Sequence, residues 1–180
     1  MSSNTQLALR YAKPVVDLAQ KSNKLNELKK DAEFLLEVAS ENRELTRLIE
    51  SPVVSSEKKL AILEQIFSNH VSALFANLLK VVSSKEREAH LLQISKTIIS
   101  EYNRLHNIGE ATLETAYVME ADTEASINRQ VAELLGKDAM EFNVVHKPDL
   151  IGGFKVRLGD RQIDASVRGQ LQELRNEFLR

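Results

Sequence analysis

The apolar residues of this chain recur at steps of three and four through its N-terminal part, then change to a step of two, and the change falls at Asn107-Ile108-Gly109. The first spacing lines one face of a helix and the second lines one face of a strand. A helical part must therefore be followed by a part that holds a sheet. The helical part reads as six helices. The first carries Leu7, Tyr11, Val15 and Leu18 on one face, and the second carries Leu25, Leu28, Ala32, Leu35 and Ala39. A short third holds Leu45, Leu48 and Ile49, and Ser51-Pro52 stops it because the residue before a proline resists the helical region. Ser55 or Ser56 is placed to cap the fourth helix, with Glu57 near its positive end and Leu60, Leu63, Ile66 and Phe67 as its apolar set. The fifth shows Val71, Leu74, Phe75, Leu78 and Val82, and the sixth Leu91, Ser95, Ile98, Tyr102 and Leu105. Short connections favour an antiparallel bundle. Pro14 interrupts the first helix, where it removes a donor and crowds the preceding turn. The expectation is a kink near Arg10 to Lys13, or a helix that restarts at Pro14.

Beyond residue 109 the order reads strand, helix, strand, strand, strand, helix. Ala111, Leu113, Thr115 and Tyr117 alternate as a strand. Asp122 or Thr123 starts a helix with Ile127, Val131, Leu134 and Leu135 that ends at Gly136. Met140 to His146 is a second strand, and Lys147-Pro148-Asp149 is a turn. Phe154, Val156 and Leu158 then alternate with Lys155 and Arg157, Gly159-Asp160 turns the chain, and Arg161-Gln162-Ile163 starts the return strand. Asp164 or Ser166 can cap the last helix, whose Val167, Leu171, Leu174 and Phe178 share a face. Gly152 and Gly153 point to an unusual backbone angle or a close approach. They are not a phosphate loop, since the lysine-hydroxyl ending is missing and no helix follows them directly. The fold class is thus mainly α with a small α+β part: a six-helix bundle over 1–106 and an α+β domain over 109–180. The second domain is small enough that it is expected to lean on its terminal helix and on partners.

Chemistry is sparse. The chain has no cysteine, which removes disulfides and thiolate metal sites. His70, His90, His106 and His146 stand far apart, none at metal-ligand spacing on a helix. Asp164 and Ser166 have no neighbouring histidine base, so capping is their expected role. Glu27, Glu33, Glu37 and Glu41 read as a solvated helix face, while Arg157, Arg161 and Arg168 are either ordinary surface charge or a small basic patch for an acidic partner. A net charge of −2 gives no footprint for nucleic acid. No apolar run approaches the roughly 18 residues of a spanning helix. Met1-Ser2-Ser3-Asn4-Thr5 lacks the pattern of a secretion or organelle-import signal.

The run Leu150 to Leu171 resembles the C-terminal signature of the delta subunit of bacterial F-type ATP synthases, the oligomycin-sensitivity-conferring protein family. Its marks are the Gly152-Gly153 pair, the apolar alternation, Gly159, then Asp164, Ser166, Arg168 and Leu171. Weaker similarities lie at Arg10-Tyr11-Ala12-Lys13, at Ser51-Pro52-Val53-Val54 with Lys58 or Lys59, and at Asn77-Leu78-Leu79 with Arg87. Relatives often carry alanine or another helix former where Pro14 stands. The resemblance implies a stator subunit with no active site and no cofactor. It would clamp the alpha subunits of the catalytic head to the b subunits of the peripheral stalk, so that rotor torque drives ATP synthesis. It implies that the bundle grips an N-terminal segment of an alpha subunit through Tyr11, Val15, Leu18, Phe75, Leu78 and Leu79, so Leu78→Asp is expected to weaken head binding. It implies that the C-terminal domain holds the C-terminal ends of the b subunits through Val167, Leu171 and Leu174. A single copy in a hetero-oligomer follows, peripheral on the cytoplasmic face of the bacterial plasma (inner) membrane, with no direct membrane insertion and no nucleic acid. The alternative is a helical adaptor protein of an unrelated assembly.

Overall fold

The computed structural model describes residues 3–117, 121–159 and 161–179. Met1, Ser2, the side chain of Asp122, and Asp160 of the expected turn lie outside the described residues. The elements run α1 (Ser3–Lys21), α2 (Leu25–Glu41), α3 (Arg43–Glu50), α4 (Ser56–Phe67), α5 (Ala73–Ser84) and α6 (Leu91–Leu105), with a short 3-10 turn at Glu88–His90. They continue as β1 (Ile108–Thr115), α7 (Ala121–Leu135), β2 (Ala139–His146), a 3-10 turn at Pro148–Leu150, β3 (Gly153–Leu158), β4 (Arg161–Ser166) and α8 (Val167–Phe178). The chain is mainly α with a small α+β part, as its two periodicities predict. It divides into two compact units between Tyr102 and Asn103, within the last turn of α6.

In the first unit the core is built from Leu28, Ala32 and Leu35 of α2, Leu45 and Ile49 of α3, Leu63 and Phe67 of α4, Phe75, Leu78, Leu79 and Val82 of α5, and Leu91, Ile94 and Ile98 of α6. Phe34 meets Phe67 edge to face at 5.7 Å. The first helix departs from expectation. It buries Ala8, Ala12, Val16 and Ala19, while Leu7, Tyr11 and Val15 are half-buried and Leu18 is exposed. The two rows are neighbours on the helix. Small alanines sit where α1 meets α2 and α5, and the larger side chains flank that contact. Nor does the helix restart at Pro14, since α1 continues through it. The missing N–H leaves the Arg10 carbonyl without its intrahelical donor, but Arg10 and Pro14 are both exposed and water can reach it.

Buried polar groups tie the helices. Asp31 accepts a hydrogen bond from the Ser72 backbone N–H at 3.0 Å, and Ser72 caps α5 by accepting from the Phe75 N–H. Lys59 donates from Nζ to the Ile49 carbonyl at 3.0 Å, near the end of α3. Asn42 caps α3 through the N–H groups of Glu44 and Leu45. Ser55 stands at the N-cap of α4 without a side-chain cap bond.

The second unit is a four-stranded sheet in the order β2-β1-β3-β4. β1 pairs parallel with β2 across the α7 crossover and antiparallel with β3, and β3 pairs antiparallel with β4. Ala111, Leu113, Met140 and Val156 from the strands pack with Ile127, Val131 and Ala132 of α7. Tyr117 falls just past β1 and is exposed, and Leu134 is exposed as well. The terminal helix does not supply core. α8 buries none of its residues, so the domain leans on α7 rather than on α8. At the start of this unit the buried Asn103 amide donates to Glu110 Oε1 at 3.0 Å and Glu141 Oε2 at 2.8 Å, carboxylates that face each other across β1 and β2.

Candidate interaction surfaces

The hairpin residues singled out in the sequence form one structural device. Gly153 has φ +72°, and a Cβ there would stand 2.2 Å from the Ala165 carbonyl oxygen across the strand pair. Only glycine permits both the angle and the approach. Gly152 lies against Val167, with its carbonyl accepting from the Val167 N–H at 3.0 Å, and Gly159 supplies a left-handed turn residue. Asp164 Oδ1 accepts from both the backbone and the hydroxyl of Ser166, at 3.0 and 2.6 Å, and Ser166 Oγ accepts from Gly169 N at 3.0 Å. Ser166 is thus the cap of α8 and Asp164 orients it. The hydroxyl bond from Ser166 is the main cause that holds the Asp164 carboxyl below its ordinary range, with Lys155 at 3.5 Å adding to it. Glu114 is held low chiefly by its 2.6 Å bond from Lys147. These groups and the exposed Arg168 line a cleft of about 550 Å3. Its Glu114 and Asp164 carboxylates are engaged by Lys147, Lys155 and Ser166.

Two of the histidines are likewise occupied with local contacts. His70 packs near Phe34 at 5.7 Å, and His146 Nε2 donates to the Ala116 carbonyl at 2.8 Å. Among the described residues no group of three His, Cys, Asp or Glu could hold a metal ion, and no helix is long and apolar enough to cross a membrane.

Two helices carry apolar rows that are not fully buried. On the first unit the row is Leu7, Tyr11, Val15 and Leu18 of α1, with Leu18 53% exposed, and Val81 of the neighbouring α5 is also exposed. Phe75, Leu78 and Leu79, expected beside them as partner contacts, are instead core. They lie on the inward face of α5, and Leu78 is 3% exposed. A charge at Leu78 would enter the bundle interior, so Leu78→Asp reports on folding before it reports on any partner. On the second unit Val167, Leu171, Leu174 and Phe178 of α8 are 38, 54, 49 and 87% exposed. The periodicity locates this row correctly, but cannot show that it faces outward.

The buried roles of Asp31, Lys59 and Asn103 lie outside the sequence expectations. Asp31 lies three residues after Leu28, inside the apolar row of α2, and that spacing is the legible signal of a buried acid. For Lys59 and Asn103 no local pattern distinguishes them from surface residues. Ile151, at φ +66° and exposed, carries no sequence signal either.

Fold and surfaces together define a class: a two-unit, mainly α protein with a helical bundle followed by a small α+β unit whose last helix leaves an apolar row exposed. The comparisons give the family. Residues 7–178 match the family model described as ATP synthase delta (OSCP) subunit. An ATP synthase subunit delta of Prochlorococcus marinus is 34% identical over 91% of this chain and 90% of its own. That of Picosynechococcus sp. is 31% identical over 99% and 98%. A chain in the cryo-EM structure of the Toxoplasma gondii mitochondrial ATP synthase hexamer has the same fold, with a TM-score of 0.70 at 19% identity, over 100% of this chain and 99% of that one. This chain belongs to the ATP synthase delta (OSCP) subunit family.

Proposed function

We propose that this protein is the peripheral-stalk subunit of a proton-translocating F-type ATP synthase, a non-catalytic clamp between the alpha subunits of the catalytic head and the C-terminal ends of the b subunits. The observation that carries the reading is an apolar row on each unit, half-buried on α1 up to the exposed Leu18 and exposed on α8, in a chain matched to the family along nearly its whole length. A clamp needs two such surfaces, because the head would otherwise turn with the rotor. Two modest contacts on one rigid assembly then hold far longer than either alone, through effective concentration. The head-side contact is the α1 row of Tyr11, Val15 and Leu18, with Phe75, Leu78 and Leu79 supporting it from beneath. The stalk-side contact is Val167, Leu171 and Leu174. One copy serves one complex, peripherally, on the cytoplasmic face of the plasma membrane.

Calorimetric titration with a synthetic peptide from the N-terminus of the alpha subunit of the same synthase tests the head side. Binding near one to one is expected, weakened about tenfold or more by Leu18→Asp with an unchanged melting midpoint. Leu78→Asp is expected to lower the melting midpoint itself, at a cost of about 4 kcal/mol. A folded protein that binds no alpha peptide would favour the helical adaptor of an unrelated assembly.

A further inference from the structure

The sheet has two outer edges, β2 and β4, and they differ. β4 carries Arg161, Gln162 and Asp164, charged and polar residues of the kind that discourage strand addition. β2 carries Phe142-Asn143-Val144-Val145 without a charge, a proline or a glycine, and Val144 is 46% exposed. One position of that edge is closed from within the fold. Asn128 of α7 accepts from the Met140 N–H at 3.1 Å and donates to the Met140 carbonyl, so its amide bonds β2 as a neighbouring strand would.

This contact fixes which way β2 faces. Both polar groups of Met140 point away from β1, and by the alternation of a strand so do those of Phe142 and Val144. Among the described residues nothing bonds these outward groups of Phe142 and Val144. A groove of about 890 Å3 lies beside Asn128, lined by Glu124, Arg129, Glu133, Lys137 and Asp138. Lys137 donates to Asn107 Oδ1 at 3.1 Å, which leaves Arg129 against the carboxylates of Glu124, Glu133 and Asp138. As the crossover helix, α7 runs back along the sheet, so Glu124, one turn before Asn128, lies toward Phe142.

We infer that Phe142 and Val144 of β2 receive an extended basic segment of another chain, added as a further strand that ends at Asn128, with a lysine or arginine set against Glu124. Unpaired backbone groups in a row select an extended partner, since a helix keeps its own N–H and C=O groups for itself. The apolar Phe142 and Val144 select apolar side chains beside them, and the acidic groove selects the charge. A second copy of this chain fits poorly. Two-fold antiparallel pairing about Asn143 sets the copy's His146 against Met140, and pairing about Val144 sets its Pro148 there. In both registers Asn128 already fills the place, and proline has no N–H to offer. The inference does not depend on the stalk reading above.

The test is amide hydrogen exchange of the full chain, read by NMR, with the synthetic peptide Thr-Val-Thr-Val-Thr-Lys at millimolar concentration. Exchange at Phe142 and Val144 is expected to slow about tenfold. Val144→Pro removes an N–H that bonds nothing in the fold, so it should abolish the protection at Phe142 and keep the melting midpoint. Glu124→Lys, or a peptide ending in glutamate, should weaken the effect, more at low salt than at high. Unchanged exchange in folded protein would overturn the inference, as would equal protection by the lysine and glutamate peptides. Loss of folding in Val144→Pro would overturn it too, because that N–H would then have a partner within the fold. Sedimentation showing wild-type self-association that Val144→Pro abolishes would overturn the inference in favour of a second copy.

Discussion

Gly153 shows how much one residue without a side chain can decide. Its angle and the 2.2 Å approach to the Ala165 carbonyl are independent obstacles to any side chain. Gly153→Val is expected to cost on the order of 3 kcal/mol, read as a lower melting midpoint of the C-terminal unit. A normal melt would mean that β3 and β4 can separate there at little cost. The glycine pair is legible in the sequence as a conformational need, but its partner, a carbonyl on the returning strand, is not. Pro14 teaches the reverse. Its chemistry correctly forbids a bond to the Arg10 carbonyl, yet α1 does not restart there, and both residues face solvent. Local rules say which bond is lost, and burial decides whether the loss matters.

Among the elements, helices and strands are legible because each carries its own period. Their facing is less so. The α1 row chosen by size is one residue away from the alanine row that packs inward, since close approach between helices selects small residues that a hydrophobicity pattern ranks low. The sheet adds a pH dependence. Glu114 on β1 and Asp164 on β4 are held below their ordinary values of 4.5 and 3.8, mainly by Lys147 and by Ser166 respectively. In acid the native state therefore binds fewer protons than the unfolded chain. The stabilisation is complete above the ordinary values and is lost as pH falls through the lowered ones. The melting midpoint of wild type should exceed that of the Glu114→Gln, Asp164→Asn double variant at about pH 7, and the two should converge as pH falls below both lowered values. A constant difference across that range would show that the stabilisation does not depend on ionised carboxylates.

At the scale of the whole molecule, the two units differ in how their contacts are spaced along the chain. In the bundle, α2 packs on α3 and α4 on α5, so much of the structure joins segments that follow one another. The sheet instead places β1, its first strand, between β2 and β3, both of which come later. During synthesis the bundle can thus consolidate while β1 waits with both edges unpaired, first for the α7 crossover and then for the hairpin. A ribosome that stalls after Leu158 would release a chain lacking β4 and all of α8. Such a product is expected to keep a protease-resistant bundle and lose the rest to digestion, and resistance of its C-terminal part would contradict this order. Until β4 pairs with it, β3 presents an open edge, the kind of surface on which unfinished chains associate.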